Sequence, residues 1–220
     1  MMLGARTAVW AKSGEPLPFD AEVAWLQSDG YSFFDTKIIG SSEVSIDLNF
    51  LLKVGNNTSQ NCIFFGSRKE NGVLQYVLLS SHKNGSGVWG FGTDPSGRYR
   101  YGWLDPTYDF ERFNFNNTAK HNVMVVNGTK EIVAKNSSSK FNNSQNLYIC
   151  AWNSNGSKKF ANPDRCRFCG GKIYLSGELV RDYKTVRVGN VGCLFDRVSK
   201  QIFPNAGTGA FIIGPDVDTI

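Results

Sequence analysis

The chain contains 220 residues, of which 41% are hydrophobic and 20% are charged. These proportions are ordinary for a soluble globular protein, and the length suits one large β-domain. The net charge is +5, but the basic residues are scattered and form no run of five or more. The sequence therefore predicts no nucleic-acid partner. No apolar stretch approaches the roughly 18 residues of a membrane span, so we expect no membrane insertion.

The cysteine content bears on the compartment. The chain has five cysteines, and an odd number argues against a secreted disulfide framework. The first 20 residues contain no continuous apolar segment of the kind found in secretion signals. We therefore expect synthesis in the cytoplasm without a signal peptide, and a final location in a virion or outside the cell after lysis.

Residues 1–20 are predicted to form an extended arm, because Pro16 and Pro18 disfavour both helix and strand. Strand patterning begins immediately afterwards, so we predict a single domain over residues 21–220. The arm is a candidate contact for other virion proteins. The sequence also leaves a homo-oligomer open.

Strand signals dominate the predicted domain. The clearest signal covers residues 43–54, where apolar residues alternate with polar ones. Further strands are predicted at 22–25, 31–39, 62–67, 74–80, 88–92, 120–126, 130–134, 147–152, 171–175, 179–188 and 191–195. Residues 94–118 lack clean alternation, and we predict a long decorated loop with short strands there. About a dozen short strands joined by tight turns are typical of a sandwich or barrel.

Two segments, one near each end of the domain, carry a distinctive pattern. The opening segment reads AEVAWLQSDG at residues 21–30, and the closing segment includes GKIY at 171–174, GELVRDY at 177–183 and GTG at 207–209. Together they resemble laminin-G-like domains found in gut bacterial and phage or prophage proteins.

The resemblance extends over residues 21–216 and implies an all-β, concanavalin A-like two-sheet jelly roll. Domains of this kind include glycan binders, adhesion modules and phage structural proteins, so the resemblance alone fixes no function. The closing residues themselves are best interpreted as structural corners, because their glycines suit turns with positive φ.

The sequence predicts no catalytic machinery. Glycosidases need two carboxylates that flank one bond. Glu43 and Asp47 lie four residues apart and share a strand face, but no third carboxylate follows them. We interpret this pair as solvent-facing positions of an amphipathic strand. The two histidines, His82 and His121, offer no recognisable acid–base set.

Metal and cofactor signals are weak. Cys166 and Cys169 form a Cys-x-x-Cys, but tetrahedral zinc needs four ligands, usually from two such pairs. We favour apolar strand or loop cysteines over a zinc site or a redox pair. No cofactor is predicted, although a calcium site remains open at the cluster of Asp94, Asp105 and Asp109.

Two aromatic clusters are candidate ligand sites, because sugars present apolar ring faces with a rim of hydroxyl groups. The first lies in the aromatic stretch that follows residue 88 and the second at a predicted strand end. The residues we select are Trp89, Tyr99, Tyr101, Trp103, Asp105 and Tyr108 in the first cluster, and Trp152 and Asn153 in the second.

These observations favour a non-enzymatic, lectin-like binding module on a phage or prophage particle, contacting a glycan on a cell or mucosal surface. One alternative is a purely structural virion protein, such as a decoration or tail component. The other is a carbohydrate-active enzyme of unrecognised type.

Overall fold

A computed structural model describes ten stretches of the chain. They are residues 16–55, 62–69, 74–81, 86–93, 100–103, 107–117, 122–126, 130–134, 142–160 and 166–217. Within these stretches the regular structure is entirely β, and no helix is long and apolar enough to cross a membrane.

The described strands form two sheets, which confirms the all-β, two-sheet prediction. The first sheet has a main path and three short strands off it. Its strands are β1 (Ala21–Glu22), β2 (Leu26–Gln27), β4 (Val44–Gly55), β9 (Thr107–Asn117), β10 (Asn122–Val126), β11 (Lys130–Ala134), β15 (Cys166–Leu175), β16 (Glu178–Val188), β17 (Val191–Asp196), β18 (Gln201–Phe203) and β19 (Ile212–Ile213). The order along the path is β11-β10-β9-β4-β15-β16-β17-β18.

The second sheet packs against the first. Its strands are β3 (Phe34–Ser41), β5 (Cys62–Lys69), β6 (Leu74–Ser81), β7 (Ser86–Thr93), β8 (Arg100–Trp103), β12 (Asn142–Ile149), β13 (Ala151–Ser154) and β14 (Ser157–Phe160). The order is β14-β13-β5-β6-β7-β8, with β12 joining β3 to β5.

The core lies between the two sheets. Strand β4 turns its alternate residues inward, so that Leu48 and Phe50 are fully buried. They join one cluster with Phe64 and Ile149 of the second sheet and Phe168 of β15. The residues between them on β4 therefore face away from the core, on what we call the outer face of the first sheet.

Residues 107–117 correct the sequence prediction. We expected a decorated loop over 94–118, but β9 is an 11-residue strand between β4 and β10. Phe113 and Phe115 pair with Phe50 and Leu48 of β4. The alternation was obscured because a bulge at residues 109–110 interrupts its period.

The opening and closing segments of the domain dock onto each other. The side-chain oxygen of Asn205 accepts hydrogen bonds from the backbone N–H of Phe33 (3.1 Å) and Gly207 (2.8 Å). The side-chain nitrogen of Asn205 donates to the Gly209 carbonyl (2.6 Å). Asp29 in turn accepts from the N–H of Ala210 at 2.8 Å. This geometry supports the interpretation of the closing residues as structural corners.

The first sheet forks at a bulge in β15. Register shifts between Phe168 and Gly171, where Gly170 has φ of +99° and Gly171 of +153°. Before the bulge β15 pairs with β2, on the side where it pairs with β16 after the bulge, and β16 in turn pairs with β1. This change of partner strand places the segment that contains Trp25 beside the first half of β15.

Residues 16–20 were assigned to the arm, and the structure describes them on the outer face of β16 and β17. The Phe19 ring lies 5.1 Å from that of Phe195 and belongs to a small apolar cluster with Val186 and Cys193. Asp20 also donates its N–H to the Arg187 carbonyl. The rest of the predicted arm lies outside the described residues.

Candidate functional site

A row of side chains crosses the outer face of the first sheet. Arg167 of β15 pairs with Gln27 of β2 on one side and Leu51 of β4 on the other, and Leu51 pairs with Arg112 of β9. Residues in register on neighbouring strands point to the same face. Leu51 lies between the buried residues Phe50 and Leu52, so this row faces away from the core.

Arg167 is the centre of this row. Its guanidinium carbon lies 4.1 Å from the ring centroid of Trp25 and 3.5 Å from that of Phe110. Its Nε donates a hydrogen bond to the Gln27 side-chain oxygen at 2.9 Å. Cation–π contacts contribute about 0.5–2 kcal/mol each, depending on solvent exposure, so two rings and one amide hold the guanidinium in place. We call Trp25, Phe110 and Arg167 the cation–aromatic cluster.

The Trp25 ring is positioned by Gly214. A Cβ atom at residue 214 would lie only 2.7–3.0 Å from three ring atoms of Trp25. The two residues are also joined by a hydrogen bond from the Gly214 N–H to the Trp25 carbonyl at 2.9 Å. The ring therefore lies flat on backbone that carries no side chain, close to the start of β2.

Phe110 reaches Arg167 from a β-bulge in β9. The register shifts between the pairs Leu52–Glu111 and Val54–Tyr108, so two residues of β9 oppose Lys53. Phe110 takes the left-handed conformation, with φ of +58°. For a bulky residue this costs of order 1–3 kcal/mol, and such strain collects at functional sites.

A polar ladder lies beside the cluster on the same face. The Asn114 amide donates to Asp47 at 2.7 Å and to Asn49 at 3.1 Å. Asn49 is two residues from Leu51, which corresponds to about 7 Å along an extended strand. The Asn114 carbonyl oxygen, the second Asp47 oxygen and the Asn49 amide nitrogen have no hydrogen-bond partner among the described residues. Among the described residues, the ladder therefore has both acceptors and a donor available for further hydrogen bonds.

Cys169 lies in the β15 bulge between two guanidinium groups. Burial raises the pKa of its thiol to about 11, although the nearby Arg112 and Arg167 act to lower it. A thiol with this pKa is protonated at neutral pH and is a poor nucleophile or metal ligand. Among the described residues, no group of three or more His, Cys, Asp or Glu side chains could hold a metal ion, and Cys166 is buried.

The first aromatic cluster selected from the sequence is divided between the sheets. Trp89 lies on β7, and Tyr101 and Trp103 lie on β8, all in the second sheet, whereas Tyr108 lies on β9 in the first. Only the backbone of these four residues is described. Tyr99, Asp94 and Asp105 lie outside the described residues, so the structure gives no geometry for the calcium site.

The second selected cluster lies on the β13–β14 hairpin. Asn153 is buried and its side-chain oxygen accepts the N–H of Gly156 at 2.9 Å, which supports the hairpin turn. Trp152 is half-buried and its ring lies 5.7 Å from the guanidinium of Arg68. The Trp152 Nε1 and Arg68 Nε atoms are buried and have no hydrogen-bond partner in the described part of the chain. One such donor therefore lies on the hairpin, at Trp152, beside another on β5, at Arg68.

Glu43 and Asp47 do not form a matched carboxylate pair. Glu43 lies in the turn before β4, where its carboxylate accepts from Ser176, and Asp47 accepts from Asn114. Four residues of extended chain separate their Cα atoms by about 13 Å. Glycosidase carboxyl groups lie roughly 5–9.5 Å apart.

The sequence did not identify the cation–aromatic cluster. Its residues come from three distant segments, and Arg167 lies 140 residues from its partner Gln27. The available signal was the polar side of β4, with Asp47 and Asn49, which we interpreted as an ordinary solvent-facing strand. Comparison of the chain with protein-family models and with curated proteins finds no match.

Proposed function

We propose that the chain is a non-enzymatic, lectin-like binding module, built on a concanavalin A-like jelly roll, that contacts a surface glycan through the outer face of its first sheet. The observation that carries this proposal is the juxtaposition of the cation–aromatic cluster with the polar ladder. Sugars bring apolar ring faces and hydroxyl rims. This face offers the half-buried rings of Trp25 and Phe110 beside acceptors and a donor that have no hydrogen-bond partner among the described residues.

The geometry also favours binding over turnover. On this face Asp47 is held by Asn114, and Asp182, two strands away in the same row, is held by Arg197. Glu43 lies in the turn before β4, with its Cα atom about 13 Å from that of Asp47. General acid–base cleavage needs two carboxyl groups that flank one glycosidic bond, whereas Asp47 and Asp182 are each engaged by a neighbouring side chain. The Cys169 thiol is protonated at neutral pH and offers no nucleophile in its place.

The first test is binding of the purified chain to a broad glycan array, followed by affinity measurements on the glycans that bind. We expect Trp25→Ala to weaken binding at least tenfold, because the ring contacts both the ligand and Arg167. Asn114→Ala should weaken it severalfold, because the ladder loses its organising amide. Circular dichroism and thermal unfolding would establish that each variant is folded.

The matched control is Trp152→Ala, which removes a half-buried tryptophan on the second sheet. We expect this variant to retain its affinity. If Trp152→Ala abolishes binding and Trp25→Ala does not, the ligand site lies on the second sheet and our assignment of the face is wrong. Parallel measurements with calcium and with a chelator should give the same affinity.

A folded protein that binds nothing on the array would overturn the lectin proposal. The structural virion protein would then be the better interpretation, with the outer face as a contact between proteins of a particle. Release of shorter oligosaccharides, abolished by Asp47→Asn, would instead support the carbohydrate-active enzyme.

A further inference from the structure

Arg167 has no counter-ion among the described residues, in contrast to three arginines of the closing segment. Arg187 pairs with Asp216 and Arg197 with Asp182, each at 2.7 Å, and Arg181 lies 3.9 Å from Asp196. The side-chain hydrogen bond of Arg167 goes to the neutral amide of Gln27, and no carboxylate pairs with it in the described part of the chain.

An unpaired guanidinium in this position is costly unless something compensates it. Arg167 is half-buried against two aromatic rings, and removing a charge from water without a counter-charge is unfavourable. The rings recover part of that cost through cation–π attraction. The Gln27 side chain accepts the hydrogen bond from Nε, and the two terminal guanidinium nitrogens have no hydrogen-bond partner among the described residues.

Two terminal guanidinium nitrogens match a carboxylate or sulfate group. The planar fork donates two parallel hydrogen bonds to two oxygens of one anion, and such charge-assisted bonds are stronger than neutral ones. Phe110 adopts a strained backbone conformation, and the Trp25 ring packs closely against Gly214. The two rings therefore hold the guanidinium in position before a ligand binds. Fixing a binding group in advance lowers the entropy lost when a ligand binds.

The surroundings of the fork are cationic. Arg112 lies in the same row and Lys53 lies 5.8 Å from the Phe110 ring. Lys172 pairs in register with Asp47, the carboxylate that Asn114 already engages. Arg112 in this row and Lys53 beside Phe110 therefore add positive charge close to the Arg167 guanidinium.

We propose that Arg167 binds the anionic group of an acidic sugar, a uronate carboxylate or a sugar sulfate, while the polar ladder binds the neighbouring hydroxyl groups. This inference rests on the proposed function and names the ligand class of the same face. The roughly 7 Å between the Arg167 row and the next residues of the ladder is about the length of one or two sugar rings.

The test uses two matched pairs of probes and isothermal titration calorimetry on the full chain. The first pair is an oligogalacturonate and its methyl ester, which share one sugar backbone and differ in charge. The second is a sulfated galactan oligosaccharide and its desulfated form. We expect at least tenfold tighter binding of the acidic member of at least one pair, and the pair that shows it distinguishes carboxylate from sulfate.

Arg167→Gln should remove that preference and leave weak binding of the neutral member. Arg167→Lys keeps the charge but not the planar fork, so it should lose at least threefold of the preference, and it provides a second reading if Arg167→Gln does not fold. The control is Lys69→Gln, the same charge change at an exposed residue of the second sheet, which should keep the preference.

Equal affinity of wild type for acidic and neutral members would overturn the inference and leave the glycan-binding proposal intact. Failure to bind any of these four probes would also overturn the inference, whereas failure to bind any sugar on the array would overturn the glycan-binding proposal as well. A loss of preference in Lys69→Gln as large as in Arg167→Gln would show that the preference comes from overall charge, and that would also overturn the role of Arg167.

Discussion

The ring centroid of Phe110 lies 3.5 Å from the guanidinium carbon of Arg167, and Phe110 reaches it with a backbone φ of +58°. The contact therefore links an energetic cost in β9 to the position of a charged group in β15. Strain of this kind persists only where surrounding structure enforces it, here through a bulge opposite Lys53.

Two variants at Phe110 separate the strain from the ring. Both Phe110→Gly and Phe110→Ala remove the ring, but only alanine keeps a Cβ in the left-handed region, which costs roughly 1 kcal/mol. We expect the free energy of unfolding in urea to be about 1 kcal/mol higher for the glycine variant than for the alanine variant. Both should weaken binding of an acidic sugar severalfold. Equal stabilities would show that residue 110 is not left-handed in solution.

The sequence predicted those parts of the fold that depend on local pattern. The alternation of Val44 to Phe50 identified β4 and its buried face, and the two-sheet arrangement followed from many short strands. Strand β9 was missed because the bulge at residues 109–110 shifts its alternation by one residue.

The candidate site could not be predicted in the same way. It depends on the register that places Gln27, Arg167 and Arg112 in one row across β2, β15, β4 and β9. A change of one residue in any of these registers would move a whole strand's side chains to the other face. Such long-range register is fixed by packing and by the β15 bulge, and it leaves no local pattern in the sequence.

The bulge in β15 predicts that alanine substitution at two glycines of this region will reduce stability by very different amounts. In Gly171→Ala the new Cβ would collide with the Asp47 carbonyl and lie 2.8 Å from the Leu48 Cα, at φ of +153°. We expect a loss of about 3 kcal/mol or more, because backbone of β4 cannot move aside. In Gly177→Ala, where φ is +87° and nothing lies within 4 Å, the loss should be about 1 kcal/mol.

Urea unfolding followed by tryptophan fluorescence measures both changes. If Gly171→Ala is too unstable to purify and Gly177→Ala is obtained in normal yield, the contrast holds. Similar modest losses in both variants would contradict the close approach of β15 to β4 at residue 171.

The contact between the opening and closing segments predicts a large effect at Asn205. Asn205→Ala would remove three hydrogen bonds and leave the backbone groups of Phe33, Gly207 and Gly209 without these partners. We expect a loss of about 2–3 kcal/mol, since unpaired buried donors and acceptors are costly. The exposed Asn190→Ala, in the β16–β17 turn, should change stability by less than roughly 0.5 kcal/mol. Thermal unfolding would compare the stabilities of the two variants. A small effect of Asn205→Ala would contradict the role of Asn205 in holding the opening segment to the closing one.

The lowered pKa of Asp29 predicts how the contact between the opening and closing segments responds to acid. Burial acts to raise the pKa of Asp29, but hydrogen bonds from Ala210, Tyr31 and Ser32 outweigh it and hold the pKa below its ordinary value of 3.8. A carboxylate with a lowered pKa stabilises the folded state fully above its ordinary pKa, and the contribution is lost as pH falls through the lower value. Asp29→Asn should therefore be less stable than wild type by roughly 1 kcal/mol at pH 7, and the difference should narrow below pH 3.8.

Urea unfolding of wild type and Asp29→Asn at pH 7, 5 and 3 would test this. The exposed Glu178→Gln makes the same change of charge at the β15–β16 turn, away from the contact between the two segments, and controls for the overall charge of the chain. Three backbone N–H groups converge on Asp29. The difference in unfolding free energy from wild type should therefore narrow more at low pH for Asp29→Asn than for Glu178→Gln. A difference between wild type and Asp29→Asn that stays constant from pH 7 to pH 3 would mean that the Asp29 charge does not hold the opening segment to the closing one.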